Sequence, residues 1–379
     1  MRTLAILATK LSAHILHLFH RGGSLPGTIG LKIDSDILKG LRFEGPIILV
    51  TGTNGKTSTA NMITDLMSYS GYKVISNRKG DNLRPGIVTT IVTNSTILGK
   101  VKANALVLEV DELNIRHILP NIPVSALVVT NFFRDQLDRA MEMERLISTI
   151  ESVLPNYDGE LILNANDPNV VRLSLKAPKA HVTYYGIEEN DYSRTSTKEA
   201  SEGKFCPKCN ERLVYDYYQY SHIGKFHCPN CGFASPKADV SLENIDLINQ
   251  TFTNEKVKYK NPYEGMYSMY NAAAVMALAK YYHIDYSYVQ KVFESAPQPK
   301  GRNEKFNLNN QTCVLNLIKN PTGANEVMKV IEMDPSDKNI CIVLNDNDQD
   351  GTDVSWIYDT FFEKIDEREY QKKLFAAAF

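Results

Sequence analysis

Apolar residues recur three or four apart at Leu4, Leu7, Leu11, Ile15 and Leu18. That spacing predicts one amphipathic helix whose apolar stripe packs on its own domain. Gly22-Gly23 end it, and Pro26-Gly27 predict a turn. The pattern then changes to short continuous apolar runs at 47–50, 72–76, 105–110, 125–130, 159–164 and 182–186, with a later one at 340–344. Runs of this length, bounded by polar residues or glycine, predict buried strands. After the first, Met62, Ile63, Leu66 and Met67 keep helical spacing until Gly71. Strands alternating with helices predict an α/β fold with a parallel, doubly wound sheet. Ligands collect beyond the carboxyl ends of such strands, so the loops that follow the runs are where chemistry is expected.

The first run leads into Thr51-Gly52-Thr53-Asn54-Gly55-Lys56-Thr57-Ser58. Gly52 and Gly55 let the backbone bend tightly and approach an anion. Backbone N–H groups and the start of the next helix then face phosphate oxygens. Lys56 is placed to neutralise the β/γ-phosphates of ATP and the Thr57 hydroxyl to hold Mg²⁺. Val50 stands where the strict Gly-x4-Gly-Lys-Ser/Thr pattern has its first glycine, so the loop is a shorter Gly-x2-Gly-Lys-Thr. The bland alternative is a turn that happens to hold a lysine. Glu109 ends an apolar strand, a costly place for a charge without a cation. It is read as a Mg²⁺ ligand, against the alternative of an exposed strand terminus.

Composition adds limits. The chain has 379 residues, enough for two or three domains, and a formal net charge of −2, which argues against a nucleic-acid binder relying on a basic surface. No apolar run is long enough to cross a bilayer, and Lys10 interrupts the first apolar stretch, which argues against a signal peptide. A cytoplasmic protein is expected. His14, His17 and His20 share a helical spacing but lack a nearby carboxylate, so a solvated face is preferred to a metal site.

Cys206-Pro-Lys-Cys209 and Cys228-Pro-Asn-Cys231 are separated by 18 residues. Two such knuckles supply four thiolates for tetrahedral Zn²⁺. A ribbon at 201–238 reads as too small for a core of its own, so zinc must hold it together. Four sulfurs leave no open position, which makes the metal structural and sets it apart from the chemistry. The tyrosines between the knuckles read as a packing or partner surface. Cys313 and Cys341 lie alone in apolar runs and read as buried thiols.

The loop at 51–57 resembles the ATP loop of the Mur ligase superfamily, whose members activate carboxylates as acyl phosphates. Leu108-Glu109-Val110-Asp111-Glu112 resembles the superfamily's second acidic motif, and 130–138 a third, in which Gln136 replaces a metal-associated histidine. A glutamine carbonyl still contacts Mg²⁺ or its water, but does not titrate. Asn164-Ala165-Asn166-Asp167-Pro168 and Tyr270-Asn271-Ala272-Ala273-Ala274 match further patterns. The resemblance implies that Asn271, at a helix start, reads the adenine edge; a plain helix cap is the alternative. Gly301-Arg302-Asn303-Glu304 resembles the hinge whose arginine reaches back to the nucleotide, and 317–326 the strand-to-helix turn that follows it.

No whole domain for a nucleotide-sugar precursor precedes the loop. With the ribbon and Asp350-Gly351-Thr352-Asp353-Val354-Ser355-Trp356, this narrows the resemblance to the MurT family, the ligase subunits of lipid II isoglutaminyl synthases. It implies an ATP-dependent carbon–nitrogen ligase that amidates the α-carboxylate of D-glutamate in the lipid II stem peptide, at the inner face of the plasma membrane. The ammonia would come from a separate GatD-type glutaminase, whose catalytic triad Asp353 completes. Lys56, Mg²⁺ and Arg302 would stabilise the transferring phosphoryl group.

The implied domains are an N-terminal helical segment at 1–45, a central ATP-binding domain at 46–299 carrying the ribbon, and a C-terminal domain at 300–379. The last is short for an α/β domain of ~100–150 residues. Its stretch from Glu367 resembles nothing in the family, so it reads as incomplete. Two alternatives stay open. A folylpolyglutamate synthase-like ligase also lacks the nucleotide-sugar domain but leaves the ribbon unexplained. An inactive ATP-binding zinc-ribbon scaffold would fit a truncation.

Overall fold

A computed structural model of the chain describes residues 1–19, 23–78, 80–133, 143–197, 202–297, 301, 303–344 and 354–365. Strand β1 (Ile47–Thr51) is buried along its whole length, as its unbroken apolar run requires. Two parallel strands flank it: β3 (Ala105–Glu109) on one side and β4 (Ala126–Val129) on the other. β2 (Val74–Ser76) closes the edge beyond β3. β5 (Glu160–Asn164) and β6 (His181–Ile187) extend the sheet beyond β4. The chain then leaves for a separate hairpin, β7 (Val214–Tyr220) and β8 (Ile223–His227). It returns as β9 (Val240–Asp246), parallel to β6, and finishes the sheet with β10 (Thr251–Asn254) and β11 (Val257–Lys260). The order of the nine strands is β11-β10-β9-β6-β5-β4-β1-β3-β2.

The sheet is α/β and mostly parallel, but its β9–β11 end is antiparallel, which the sequence pattern did not predict. Glu255 and Lys256 turn the β10–β11 hairpin with both φ angles positive. Such two-residue turns normally advertise themselves by Asn-Gly or Asp-Gly, and this one does not. Helices cover both faces. One core holds α3 (Lys56–Tyr69) and the helices Met266–Tyr281 and Tyr286–Ser295; the other holds α1 (Arg2–Leu18) and α4 (Arg84–Thr93). The helix Met266–Tyr281 is buried nearly all round, so it carries no amphipathic face to read.

Several expectations are corrected. Helix α1 turns its stripe outward: Leu4, Leu7, Leu11, Ile15 and Leu18 are exposed, and it packs through Ala5, Ile6 and Thr9. Small residues win this contact because α2 (Leu25–Ile33) comes very close; a Cβ at Gly30 would lie 2.2 Å from the Thr9 hydroxyl. Among the described residues no named strand covers 340–344: Ile340 makes a single bridge, and Cys341 and Val343 are exposed. Cys341 is exposed and Cys313 only partly covered, so neither is a buried thiol. After the sheet come an exposed hairpin, β12 (Glu304–Leu308) and β13 (Gln311–Leu315), and the helix Pro321–Met333. Trp356 is buried in a 3-10 turn, Ser355–Asp359, beside that helix.

Candidate functional site

The phosphate loop sits at the carboxyl end of β1, where the chain order reverses between the β2–β3 side and the β4–β6 side. Gly52 and Gly55 have φ of 117° and 87°, and their lack of a side chain is required twice over. A Cβ on Gly52 would meet the Thr130 hydroxyl at 2.3 Å, and one on Gly55 the side-chain Oδ1 of Asn271 at 2.2 Å. Gly55 caps α3, which places Lys56, Thr57 and Ser58 in its first turn, where backbone N–H groups are unsatisfied by the helix itself. The segment after β4 holds the loop from the other side. The Asn131 carbonyl accepts from Thr53 N–H at 2.8 Å and its side-chain oxygen from Asn54 N–H at 2.9 Å. Thr53 Oγ1 accepts from Phe133 N–H at 3.1 Å.

Lys56 Nζ donates to the Gly52 and Thr53 carbonyls and forms an ion pair with Glu112 at 3.1 Å. Burial works against the Lys56 charge, but Glu112, Glu109 and Asp111 outweigh it and hold the ammonium above its ordinary range. Burial pushes the Glu112 carboxyl up, and Lys56 pulls it back only in part. Lys56 faces three carboxylates and stays charged, so Glu112 is the partner that gives up its charge first as pH falls. Glu109 is not an exposed strand end: it is 4% exposed, and its Oε1 accepts from Asn82 Nδ2 at 2.8 Å. Asn77 fixes its backbone through two hydrogen bonds. Glu109, Glu112 and Thr57 thus lie around the start of α3, an oxygen-rich set suited to Mg²⁺. The glycine cradle and helix start suit the phosphates of ATP.

The structure brings Asn271 to the loop, but not at a helix start. It sits in the second turn of the helix Met266–Tyr281, whose cap is Gly265, and is buried against Gly55. Gln136, Arg302 and Asp353 lie outside the described residues. The turn following Asp353 is capped at Val354, without a side-chain bond.

A cleft of about 140 Å³ separates the phosphate loop from the C-terminal region. Thr53, Asn54 and Gly55 form one wall, and residues 316–327, with Lys319 and Asn320, form the other. Asn320 caps the helix Pro321–Met333 by accepting from Gly323 N–H at 2.8 Å, and its Nδ2 donates to Asn54 Oδ1 at 3.2 Å. Two helix starts therefore face one cleft. Glu112, Lys319 and Asn320 lie within stretches that resemble family motifs, but the chain alone gives none of them an individual role.

The four cysteines converge: their sulfurs all lie within 4.8 Å of one another, with Cys206 and Cys231 at 3.4 Å and Cys209 and Cys228 at 3.5 Å. Zinc–sulfur bonds of about 2.3 Å in a tetrahedron put sulfurs about 3.8 Å apart, so the set fits Zn²⁺. The ribbon does have a core. Leu213, Phe226 and Phe233 pack with Cys206 and Cys228 and join Val171 of the central domain. Nor does it stand apart from the cleft. Tyr220, at the end of β7, lines the cleft wall. In the turn that follows, His222 is fully buried, its ring 4.8 Å from that of Phe133 and its Nε2 3.4 Å from Asp167 Oδ1. Asp167 Oδ2 in turn accepts from Phe132 N–H at 3.0 Å. The ribbon's turn thus braces the segment that holds the phosphate loop.

Similarity to known proteins gives the family. Residues 50–279 match the Mur ligase middle domain, and residues 317–378 the MurT ligase C-terminal family. The second match runs on to residue 378, so the stretch from Glu367 belongs to the resemblance after all. The chain is 34% identical over 370 residues to the lipid II isoglutaminyl synthase (glutamine-hydrolyzing) subunit MurT of Staphylococcus aureus, covering 97% of this chain and 82% of that protein. It is 33% identical over 367 residues to the subunit of the same name from Streptococcus pneumoniae, covering 96% and 81%. Among solved structures, a pseudomurein peptide ligase type C from Methanothermus fervidus superposes with a TM-score of 0.68 at 20% identity, covering 90% of this chain and 70% of that one. MurF from Acinetobacter baumannii does so at 0.64 and 16%, covering 92% and 67%. The structures share the fold; the sequence relatives carry the assignment, and the chain belongs to the MurT family of the Mur ligase superfamily.

Proposed function

We propose that this chain is the ligase subunit of a lipid II isoglutaminyl synthase. The reaction is ATP-dependent amidation of the α-carboxylate of D-glutamate in the lipid II stem peptide. The observation that carries the reading is the cleft itself: a phosphate loop and a second helix start face each other, as transfer of a phosphoryl group to a carboxylate needs. The names of the curated relatives supply the substrate class. In this reading Gly52, Thr53, Asn54, Gly55, Lys56, Thr57, Ser58, Asn271 and Arg302 hold ATP. Thr57, Glu109 and Gln136 hold Mg²⁺, which when bound offsets phosphate charge. Cys206, Cys209, Cys228 and Cys231 hold a structural Zn²⁺. The segments 1–45, 46–299 and 300–379 act as N-terminal, ATP-binding and C-terminal domains.

A carboxylate oxygen attacks the γ-phosphorus of ATP and ADP leaves with the P–O electron pair; ammonia then attacks the acyl carbon, phosphate leaves with the C–O electron pair, and the nitrogen gives up one proton to the departing phosphate or water. Lys56 offsets charge on the phosphoryl oxygens during the first step. Cys313 and Cys341, partly covered and exposed, offer no nucleophile paired with a base for releasing ammonia from glutamine. In this reading ammonia comes from a GatD-type glutaminase subunit at the cytoplasmic face of the membrane, in keeping with the relatives' being named subunits of a glutamine-hydrolyzing synthase. Among the described residues no helix is long and apolar enough to cross that membrane.

Asp353 provides the test. As a carboxylate orienting a histidine of the partner, it is needed for glutamine hydrolysis alone. Asp353→Asn, assayed with the glutaminase subunit, should lose glutamine-driven amidation and keep amidation fed by ammonium chloride. Equal loss with both nitrogen donors, or no loss with either, rejects the triad role. Failure of the native complex to amidate lipid II from either donor rejects the function.

A further inference from the structure

Helix α1 is amphipathic in the reverse sense. Its inner face is made of small residues, Ala5 and Thr9 beside Ile6, and its outer face is a row of large apolar ones. Leu11 is 62% and Leu18 67% exposed, Phe19 continues the row at 70%, and Leu25 at the start of α2 is 53% exposed. Scattered surface leucines need no explanation, but an unbroken row along four turns does. Taking large apolar side chains out of water is favourable in proportion to the area covered, so a row of this kind strongly favours an apolar neighbour.

Charge indicates which neighbour. The first 33 residues hold Arg2, Lys10, Arg21 and Lys32 and no acidic residue; the first is Asp34. This segment carries +4 in a chain whose formal charge is −2. His14 and His17 are exposed on the same helix. On α1 itself Arg2 lies 3.8 Å from Asp34 and Lys10 Nζ donates to the Thr93 carbonyl at 2.8 Å, so the positive excess belongs to the segment as a whole, and a segment of that charge with a leucine face suits the surface of an anionic bilayer. The placement is also consistent. The start of α2 packs on the 81–89 segment: a Cβ at Gly23 would lie 3.1 Å from the Asp81 carboxylate, and Gly27 N–H donates to Thr89 Oγ1 at 2.8 Å. That loop also carries Asn82, which holds Glu109. The end of α1 and the start of α2 thus lie at the same end of the sheet as the phosphate loop.

We propose that α1 is a membrane-contact helix whose outer row lies in the interface of an anionic phospholipid bilayer. The choice of a bilayer over a protein rests on the lipid-linked substrate proposed above. The contact brings the cleft to the surface in which that substrate is anchored.

The test uses the full chain with its glutaminase subunit and vesicles of phosphatidylcholine with or without phosphatidylglycerol. The native complex should float with the anionic vesicles and more weakly with the neutral ones. The triple variant Leu11→Ser, Ile15→Ser, Leu18→Ser should lose at least tenfold in vesicle binding with an unchanged melting temperature, because these side chains contribute little to the core. Its turnover of lipid II in vesicles should fall, while turnover of a water-soluble analogue with a shortened lipid chain stays native. The proposal is overturned if the native complex ignores anionic vesicles or the variant floats equally well. It is equally overturned if the substitutions instead dissociate a homodimer or release the glutaminase subunit. Vesicle binding by a complex that amidates neither substrate would sink the function and leave the membrane contact standing.

Discussion

Replacing Lys56 by alanine is expected to lower ATP-dependent amidation by roughly 10²–10³-fold, the typical cost of removing one preorganised charge-stabilising group. The effect should be on turnover, because the ammonium acts on charge that develops at the phosphoryl group. A second effect accompanies it. Glu112 is buried and loses its cation, and stranding a buried charge costs about 3–5 kcal/mol when the group stays ionised. Burial already raises the Glu112 pKa, so the carboxyl relieves the cost by taking up a proton. A carboxyl with a raised pKa in the folded state favours folding while protonated, and that contribution is lost as pH rises through the folded value. The variant's stability deficit should therefore be largest at neutral pH and shrink in mild acid. Glu112→Gln added to Lys56→Ala should recover stability without recovering turnover. Denaturant melts at both pH values and single-turnover assays separate the two effects. Near-native turnover in Lys56→Ala would end the phosphate-loop assignment.

Removing zinc is expected to weaken ATP binding as well as the ribbon. Structural zinc sites contribute on the order of 10 kcal/mol to the folding of isolated ribbons. Here the loss is shared with the Leu213, Phe226 and Phe233 cluster, so the ribbon should loosen rather than unfold outright. Loosening reaches the cleft through His222, Asp167 and Phe132. Loss of the packing of His222 on Phe133 and of its approach to Asp167, worth about 1 kcal/mol, corresponds to a rise of roughly fivefold in KM for ATP. Cys206→Ser should reproduce this together with loss of bound zinc. His222→Ala should raise the KM while keeping zinc, which isolates the bracing contact from the metal. Unchanged melting and unchanged KM after chelation would show that the ribbon neither holds the metal for stability nor supports the loop.

The parts of this protein legible from the chain are those in which residue type and spacing are themselves the constraint. The glycines of the 52–55 loop are needed because a side chain would collide with Thr130 and Asn271, and Lys56-Thr57 follow because a helix must start there. The strands at the centre of the sheet are covered on both faces, so they appear as unbroken apolar runs. Four cysteines in two knuckles meet because a metal-sized cluster permits few other arrangements.

Tertiary structure decided what depends on partners distant in the chain. The stripe of α1 has the periodicity of a packed helix, and only the closeness of Gly30 to Thr9 made the small-residue face the inner one. The role of Glu112 emerges from a lysine 56 residues away, and that of Asn320 from Asn54, 266 residues away. The ribbon looked separate because its flanks are polar. Its turn reaches the cleft through Tyr220 and His222, whose neighbours Phe133, Asp167 and Tyr270 come from segments distant in the chain. Local pattern records which face is apolar; which face is covered is settled by the space that the neighbouring elements leave.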